Sequence, residues 1–477
     1  MKRAARRPAT RAKLLLFCGL LFCTAAVLAS LNGCGGGSAT TGMPPPPPKS
    51  KIQHVVVIFQ ENRSTDNLFQ DPILVQRGAD LQSYGINSSG QKITLTPTSL
   101  KTDYDLSHAH SAFLDMYDNG KMDGADKIPG QCNGGGTGCL PPNVWFQYVD
   151  PTEAAPYYQL AESYTFGDRM FQTNQGPSFP AHQFILSGTS APSPGSDLFA
   201  SENPIRKTGD KYNPFNLAGC ISPPDERVYL IDPGGVESHL VYPCFDHPTL
   251  TDELNASGIS WRYYAPLAGI IWNAPNAIQH MCVPNAPPPN GTACTGPDWV
   301  NNVVLNYKQV LADIQAGQLA TVSWVIPNGL SSDHPGGNDA SGPSWVASVV
   351  NTIGSSPYWA DTAIFIAWDD WGGWYDHVAP PIVNSYEYGF RVPLIVVSPY
   401  AKAAYVSHTP HHFGSILKYI EENFGLTSLG YADASADDLS DCFDYNQTPL
   451  TFQTIMAPLD AKHFLEDKRP PTPPDND

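Results

Sequence analysis

The stretch His54–Phe69, HVVVIFQENRSTDNLF, decides how the whole chain is read. Val55–Phe59 is an unbroken run of β-branched and aromatic apolar residues. Such a run predicts a strand buried on both faces, as in a mostly parallel sheet. It leads directly into Gln60, Glu61, Asn62 and Arg63. Open α/β sheets collect ligands beyond the carboxyl ends of their strands, so Glu61 and Asn62 are candidate ligand-binding residues. Taken alone, Glu61 reads equally well as a helix-capping or surface carboxylate.

A second strand end repeats the pattern. Thr362–Trp368, TAIFIAW, predicts another buried strand and delivers Asp369 and Asp370, followed by Gly372 and Gly373. Taken alone, the two aspartates read as a charged turn. Together the two strand ends offer three carboxylates and a carboxamide. That all-oxygen donor set suits one divalent metal ion, with Ca²⁺, Mg²⁺ or Mn²⁺ favoured. Further strands are expected at Thr321–Ile326 and Val392–Val397, and helices at Val304–Gly317, Ser344–Ser356 and Phe413–Gly425. Apolar strands alternating with amphipathic helices predict an α/β fold, a three-layer α/β/α sandwich around a mostly parallel central sheet. Pro-, Gly- and Asn-rich insertions at about 190–250 and 265–300 are expected along its functional edge.

A third element is QTNQGPSFPAHQFILSG, Gln172–Gly188. Ser178 stands where an N-cap belongs, with Pro180 in the first helical turn. The plain reading is a capping serine. The sharper one is a nucleophile, because a helix N-terminus attracts a phosphate or sulfate and a nearby metal can lower a hydroxyl pKa. His108, His280, His334 and His377 stand in polar or Gly/Pro-rich settings, where a histidine can bind phosphate or protonate a leaving group. His110 and His182 are weaker candidates. Trp371, Trp374 and Tyr375 suit either packing or cation–π contact with a ligand cation.

Lys and Arg number 27 against 45 Asp and Glu, a formal net charge of −18. Seven of the basic residues lie in the first 50 positions, so the rest is more acidic still. That excludes a broad nucleic-acid-binding face. An anionic substrate stays compatible, since a bound metal reverses the local field. The basic residues Lys2 to Lys13 precede an apolar run, Leu14–Leu31, which reads as an export signal. Leu31-Asn32-Gly33-Cys34 resembles a bacterial lipobox, with Cys34 as the acylated residue; ordinary cleavage near Ala29 is the alternative. Arg6-Arg7 points weakly to twin-arginine export. The Gly35–Gly37 and Pro44–Pro48 segments read as a tether, and the tail from Lys468 as disordered. Neighbouring cysteines suggest the pairs 132–139, 220–244 and 282–294, leaving Cys442 over, although spacing alone does not fix connectivity.

Several segments in the same order resemble the bacterial phospholipase C and acid phosphatase (phosphoesterase) family. They are ENRSTDNLF, GPSFP, SGISWRYY, DHPGG, IFIAWDDWGGWYDHVAPP, GFRVPLIVVSPYAK and SILKYIEENFGL, between about Lys51 and Leu426. The resemblance implies an alkaline-phosphatase-like fold and hydrolysis of phosphoesters. Carried over by position, Glu61, Asn62, Asp369 and Asp370 would bind metal and Ser178 would be the nucleophile. His108 and His334, and less firmly His280, would contact phosphate or act as acid; His377 would share that role or order the Gly-Gly loop. Ser178 and Asp370, in place of a common Thr and Glu, look more like the acid-phosphatase branch. Thr65 and His412-Phe413 depart from the family pattern.

The expected organisation is a lipoprotein-type signal peptide at 1–33, a tether at 34–50, a catalytic domain at 51–440 and a C-terminal extension with a disordered tail at 441–477. The expected function is acid-phosphatase-like, through a phosphoserine intermediate. The alternatives are a phospholipase C acting on phosphatidylcholine-type lipids and a non-catalytic, ligand-binding surface lipoprotein. The partners would be a phosphate ester or phospholipid and, through Cys34, a membrane, with no nucleic acid. The expected location is the periplasm, outer membrane or cell surface, or else the medium.

Overall fold

The computed structural model describes residues 48–206 and 217–472. The signal segment, Cys34, the tether up to residue 47 and the last five residues of the tail lie outside the described residues. Eight strands form one sheet. In chain order they are β1 (His54–Gln60), β2 (Thr165–Gly167), β3 (Trp261–Tyr264), β4 (Val303–Val304), β5 (Val322–Val325), β6 (Thr362–Trp368), β7 (Leu394–Val397) and β8 (Tyr405–Ser407). Their spatial order is β4-β3-β5-β1-β6-β7-β2-β8. From β4 to β6 every pairing is parallel, whereas β7 runs antiparallel to both β6 and β2.

The apolar runs explain the centre. β1 and β6 are buried almost throughout, because helices cover both faces of the sheet. Successive residues of a strand point to opposite faces. Phe365 of β6 packs on Tyr419 of one helix, with ring centroids 4.9 Å apart. Trp368, of opposite parity, packs on Tyr157 of another at 5.0 Å. The helices involved are α1 (Ala155–Ser163), α2 (Ser178–Ser187), α3 (Gln309–Gln315), α4 (Gly342–Gly354), α5 (Phe413–Phe424) and α6 (Ala461–Glu466). One layer groups α1, α3, α4 and α6, and the other groups α2 with α5. The result is the expected α/β/α sandwich. α5 stops at Gly425, which takes a left-handed conformation at φ 69°, as glycine does at no steric cost.

Two expectations change. The helix expected from Val304 to Gly317 forms only over Gln309–Gln315, because Val303 and Val304 pair with Tyr263 and Tyr264 as the sheet's edge strand. The tail from Lys468 is held as far as Thr472. Arg469 donates to Asp339 at 2.7 Å and the Thr472 N–H donates to Asn328 at 2.6 Å.

Disulfides join Cys132 to Cys139, Cys220 to Cys244 and Cys282 to Cys294, while Cys442 is free and buried. Such bonds suit an oxidising compartment. Among the described residues no helix is long and apolar enough to cross a membrane. The insertion at 190–250 builds a small antiparallel sheet from Phe199–Ala200, Ile205–Arg206, Glu226–Ile231 and Glu237–Val241.

Cys442, Phe443, Ile455 and Phe464, beyond residue 440, belong to the main core. Phe464 is 2% exposed and packs edge-on against Trp345 of α4. Phe464→Ala is therefore expected to cost about 3 kcal/mol in denaturant-induced unfolding. Met456→Ala, at a position 74% exposed, should stay within about 0.5 kcal/mol.

Candidate active site

The register of β1 against β6 builds the site. Gln60 stands opposite Trp368, and the Asp369 N–H donates to the Gln60 carbonyl at 3.0 Å. Glu61-Asn62 and Asp369-Asp370 therefore leave the sheet at the same level on adjacent strands. Asn62 turns the chain in a left-handed conformation, φ 59°. Its backbone N–H donates to Asp369 Oδ1 at 3.2 Å, and its Nδ2 donates to both Asp370 oxygens at 3.0 and 3.1 Å. The glycines after Asp370 permit close packing. A Cβ on Gly372 would lie 2.3 Å from the Asn62 carbonyl oxygen, and one on Gly373 would lie 2.6 Å from Leu106 Cβ.

Ser178 departs from the capping role. Pro177 is the N-cap of α2 and Ser178 is its first helical residue, with no capping bond from its side chain. Its Oγ instead lies 3.4 Å from Glu61 Oε2 and 3.5 Å from Asp370 Oδ2. Asn203, from the inserted sheet region, accepts the next helical N–H, that of Phe179, at 2.9 Å. His182 lies on the same face of α2 as Ser178, since residues four apart are neighbours on a helix. Its Nε2 is 3.1 Å from Glu61 Oε1. Sequence reasoning ranked His182 low; its spacing from Ser178 was the signal that could have raised it.

His108 and His334 join this group. Their rings stand 5.8 Å apart. His108 Nδ1 donates to the Leu106 carbonyl at 3.0 Å, and its Nε2 meets Asn62 Nδ2 at 3.0 Å. His334 Nδ1 donates to the Pro335 carbonyl at 2.6 Å. Each ring thus anchors Nδ1 on backbone, and His108 Nε2 accepts from Asn62 Nδ2. The loop carrying His334 is latched beneath the site. Arg63 Nε donates to the Asp333 carbonyl at 2.9 Å, while Tyr157 and Trp368 donate to Asp333 Oδ2 at 2.8 and 2.9 Å. Burial pushes Asp333 up to about 6 and pulls Arg63 down to about 10.

The donor set fits a cation. Glu61 and Asp369 offer oxygens within 4.8 Å of each other, fully buried. Two carboxylates that close repel by roughly 3 to 4 kcal/mol at an effective dielectric constant of 20. Asn62 Oδ1 and Asp369 Oδ2 are buried acceptors with no hydrogen-bond partner, as metal-directed oxygens would be without the ion.

Other candidates lie elsewhere. His280 is held by Asp246 at 2.6 Å and Asp252 at 3.2 Å, in a surface ion pair. His377 sits between Asp66 at 2.6 Å and Asp80 at 3.0 Å. Buried Arg391 donates to Asp376 at 2.8 Å and to Asp66 at 3.3 Å, so this acidic group is a charge-compensated brace for the loop beyond the Gly-Gly pair. His110 meets Glu237 at 3.3 Å. Trp371 and Trp374 are fully buried. Trp371 packs with Phe113 and Phe390, and Trp374 lies against Tyr104 and the Arg63 guanidinium. Together with Tyr375, 5% exposed and packed on Phe146, they serve as packing residues and present no open cation–π face. Ser407, His411 and Asp437 have the spacing of a catalytic triad, at 3.0 and 2.7 Å. However, Ser407 donates its proton to Asp441 at 2.6 Å, and Ser407 and His411 are buried, so the cluster bolts β8 to the C-terminal segment.

A model of the Phosphoesterase family matches residues 52–427. Relatives include a hemolytic phospholipase C of Pseudomonas aeruginosa, 24% identical over 454 residues that cover 83% of this chain and 56% of the relative. Phospholipase C A of Mycobacterium tuberculosis is 26% identical over 471 residues, covering 86% of this chain and 80% of that one. The chain thus spans little more than half the length of the Pseudomonas relative. Among solved structures, a protein in the alkaline phosphatase superfamily from Vibrio parahaemolyticus aligns over 82% of this chain and 72% of that one, at 10% identity and a TM-score of 0.36.

Two histidines outside the Ser178 group make stability depend on pH. Burial opposes charge on His377, but Asp66 and Asp376 push it up to about 9. The Asp252 hydrogen bond, joined by Asp246, pushes His280 up to about 9 against its own desolvation. A raised folded-state pKa stabilises fully below the unfolded value of about 6.5, and the gain is lost as pH rises to about 9. The unfolding free energy is expected to fall across that window by at most about 1.4 kcal/mol per pH unit per group. His377→Gln and His280→Gln should each flatten the slope in denaturant titrations, and the double variant should flatten it most.

Proposed function

Because the chain belongs to the Phosphoesterase family, we propose that it is a metal-dependent phosphoric ester hydrolase of acid-phosphatase type, with Ser178 as nucleophile. The observation that carries this reading is the placement of Ser178 Oγ at the N-terminus of α2, 3.4 and 3.5 Å from the Glu61 and Asp370 carboxylates. Glu61, Asn62, Asp369 and Asp370 would hold one divalent ion. When bound, that ion would neutralise phosphate charge and lower the Ser178 hydroxyl pKa.

Ser178 Oγ would attack phosphorus, losing its proton towards the neighbouring carboxylates, as the bond from phosphorus to the leaving oxygen breaks. His108 or His334, each anchored through Nδ1, would give the leaving alcohol its proton from Nε2. Water would then attack phosphorus, giving a proton to the histidine, as the bond from phosphorus to Ser178 Oγ breaks; the serine oxygen would take back a proton and phosphate would leave. The helix N-terminus faces the transferred group and favours its negative charge, so positioning and electrostatics would supply most of the rate.

Phospholipase C activity on phosphatidylcholine-type lipids is the second reading, favoured by the names of the relatives. A lipid anchor at Cys34 would bring such a substrate close. Release of diacylglycerol from phosphatidylcholine, measured beside hydrolysis of an aryl phosphate, separates the two. Export to the periplasm or cell surface is the location that both readings need.

Ser178→Ala is expected to lower aryl phosphate turnover by at least about 100-fold with an unchanged thermal transition. Rapid acid quench of wild type should trap phosphate on Ser178. Near-wild-type turnover by the folded variant would refute the nucleophile assignment. No turnover of any phosphoester by wild type loaded with several metals would favour a ligand-binding surface protein.

A further inference from the structure

We propose that His182 is a direct nitrogen ligand of the ion, making the centre a mixed nitrogen–oxygen site for a borderline divalent ion of the Zn²⁺ or Fe²⁺ class. This deepens, and rests on, the reading of the Ser178 group as a metal centre. The oxygen residues at the strand ends describe only one side of that group. The other side is an imidazole.

The geometry is that of ligands around one ion. Glu61, His182 and Asp369 each offer a donor atom, all within 4.8 Å of one another and all buried. His182 Nε2 is 3.1 Å from Glu61 Oε1 and 3.9 Å from Asp369 Oδ2. Donors held about 2.1 Å from a shared ion stand roughly 3.0 to 3.4 Å apart in octahedral or tetrahedral arrangements, which matches the shorter of these distances. Asp369 supplies a separate observation. Its Oδ1 accepts the Asn62 N–H, while its Oδ2 is buried without a hydrogen-bond partner and lies on the His182 side.

One helix therefore addresses both oxygens of Glu61. Ser178 meets Oε2, and His182, one turn later, meets Oε1. The simpler account is that His182 donates a hydrogen bond and merely orients Glu61. That account leaves Asp369 Oδ2 unsatisfied beside a second buried carboxylate. Imidazole ligands suit Zn²⁺ and its neighbours, whereas Ca²⁺ and Mg²⁺ prefer oxygen throughout.

The test must tell a ligand from an orienting residue, because loss of either weakens metal binding 10- to 100-fold. The full-length protein is stripped of metal and loaded with Co²⁺ as a spectroscopic probe. X-ray absorption at the cobalt edge then reports imidazole through its outer-shell scattering. The expected result is an imidazole signature in wild type that disappears in His182→Gln and persists in His108→Gln and His334→Gln. Calorimetry should show Co²⁺ affinity at least tenfold lower in His182→Gln. An all-oxygen shell in wild type, or a signature that survives in His182→Gln, overturns the proposal. Should His182→Gln fail to fold, the wild-type spectrum with the other two variants still decides. Turnover is not the readout. A His182-bound ion in a protein that hydrolyses no phosphoester would sink the functional reading alone, and a hydrolase whose ion has only oxygen ligands would sink this one alone.

Discussion

The alignment of β1 with β6 is the constraint on which the site depends. Parallel pairing in one register, with Gln60 opposite Trp368, puts two acidic dipeptides side by side. A slip of one residue would turn Glu61 away from Asp369 and reverse the faces of the strand that slipped. Burial guards against this. With helices on both faces, neither strand can shift without moving large side chains such as Phe59, Phe365 and Trp368 out of packed contacts.

Concentrating acid groups inside a protein is costly, since an uncompensated buried charge destabilises by several kcal/mol. The chain meets this with two arrangements. Around Asp66 and Asp376 it supplies its own cation, Arg391, and a charged His377. Burial disfavours charge on Arg391, yet Asp376 and Asp66 raise its pKa above the ordinary value. That group is complete and rigid. Around Glu61, Asp369 and Asp370 the neighbours are imidazoles, a carboxamide and a hydroxyl, with two acceptor oxygens unmatched. The first group holds the loop, and the second offers the donor set of a candidate metal centre.

The central strands were legible because a buried parallel strand is an apolar run, and its ending on Glu or Asp is visible by contrast. The direction of β7 was not, since a run buried on both faces reads alike in either sense. His182 was obscured for a related reason. Every residue of α2 is buried, so no polar stripe marks the face turned to the strand ends. His280 and His377 looked like site residues because both stand in polar loops, but carboxylates distant in sequence claimed them. The burial of Trp371 and Trp374 was equally hidden, because the residues that cover them, Phe113, Phe390 and Tyr104, come from distant segments.

The bond from Asn203 to the first turn of α2 has a wider meaning. The strand ends and their glycines tolerate little change, because added atoms there would strike backbone. The inserted sheet reaches the same helix and is packed as tightly there, since a Cβ on Gly176, just before α2, would lie 2.4 Å from the Ser201 carbonyl oxygen. The insertion is therefore part of what fixes the start of α2, and with it Ser178. A change in the insertion would be felt at the serine, through the helix that both share.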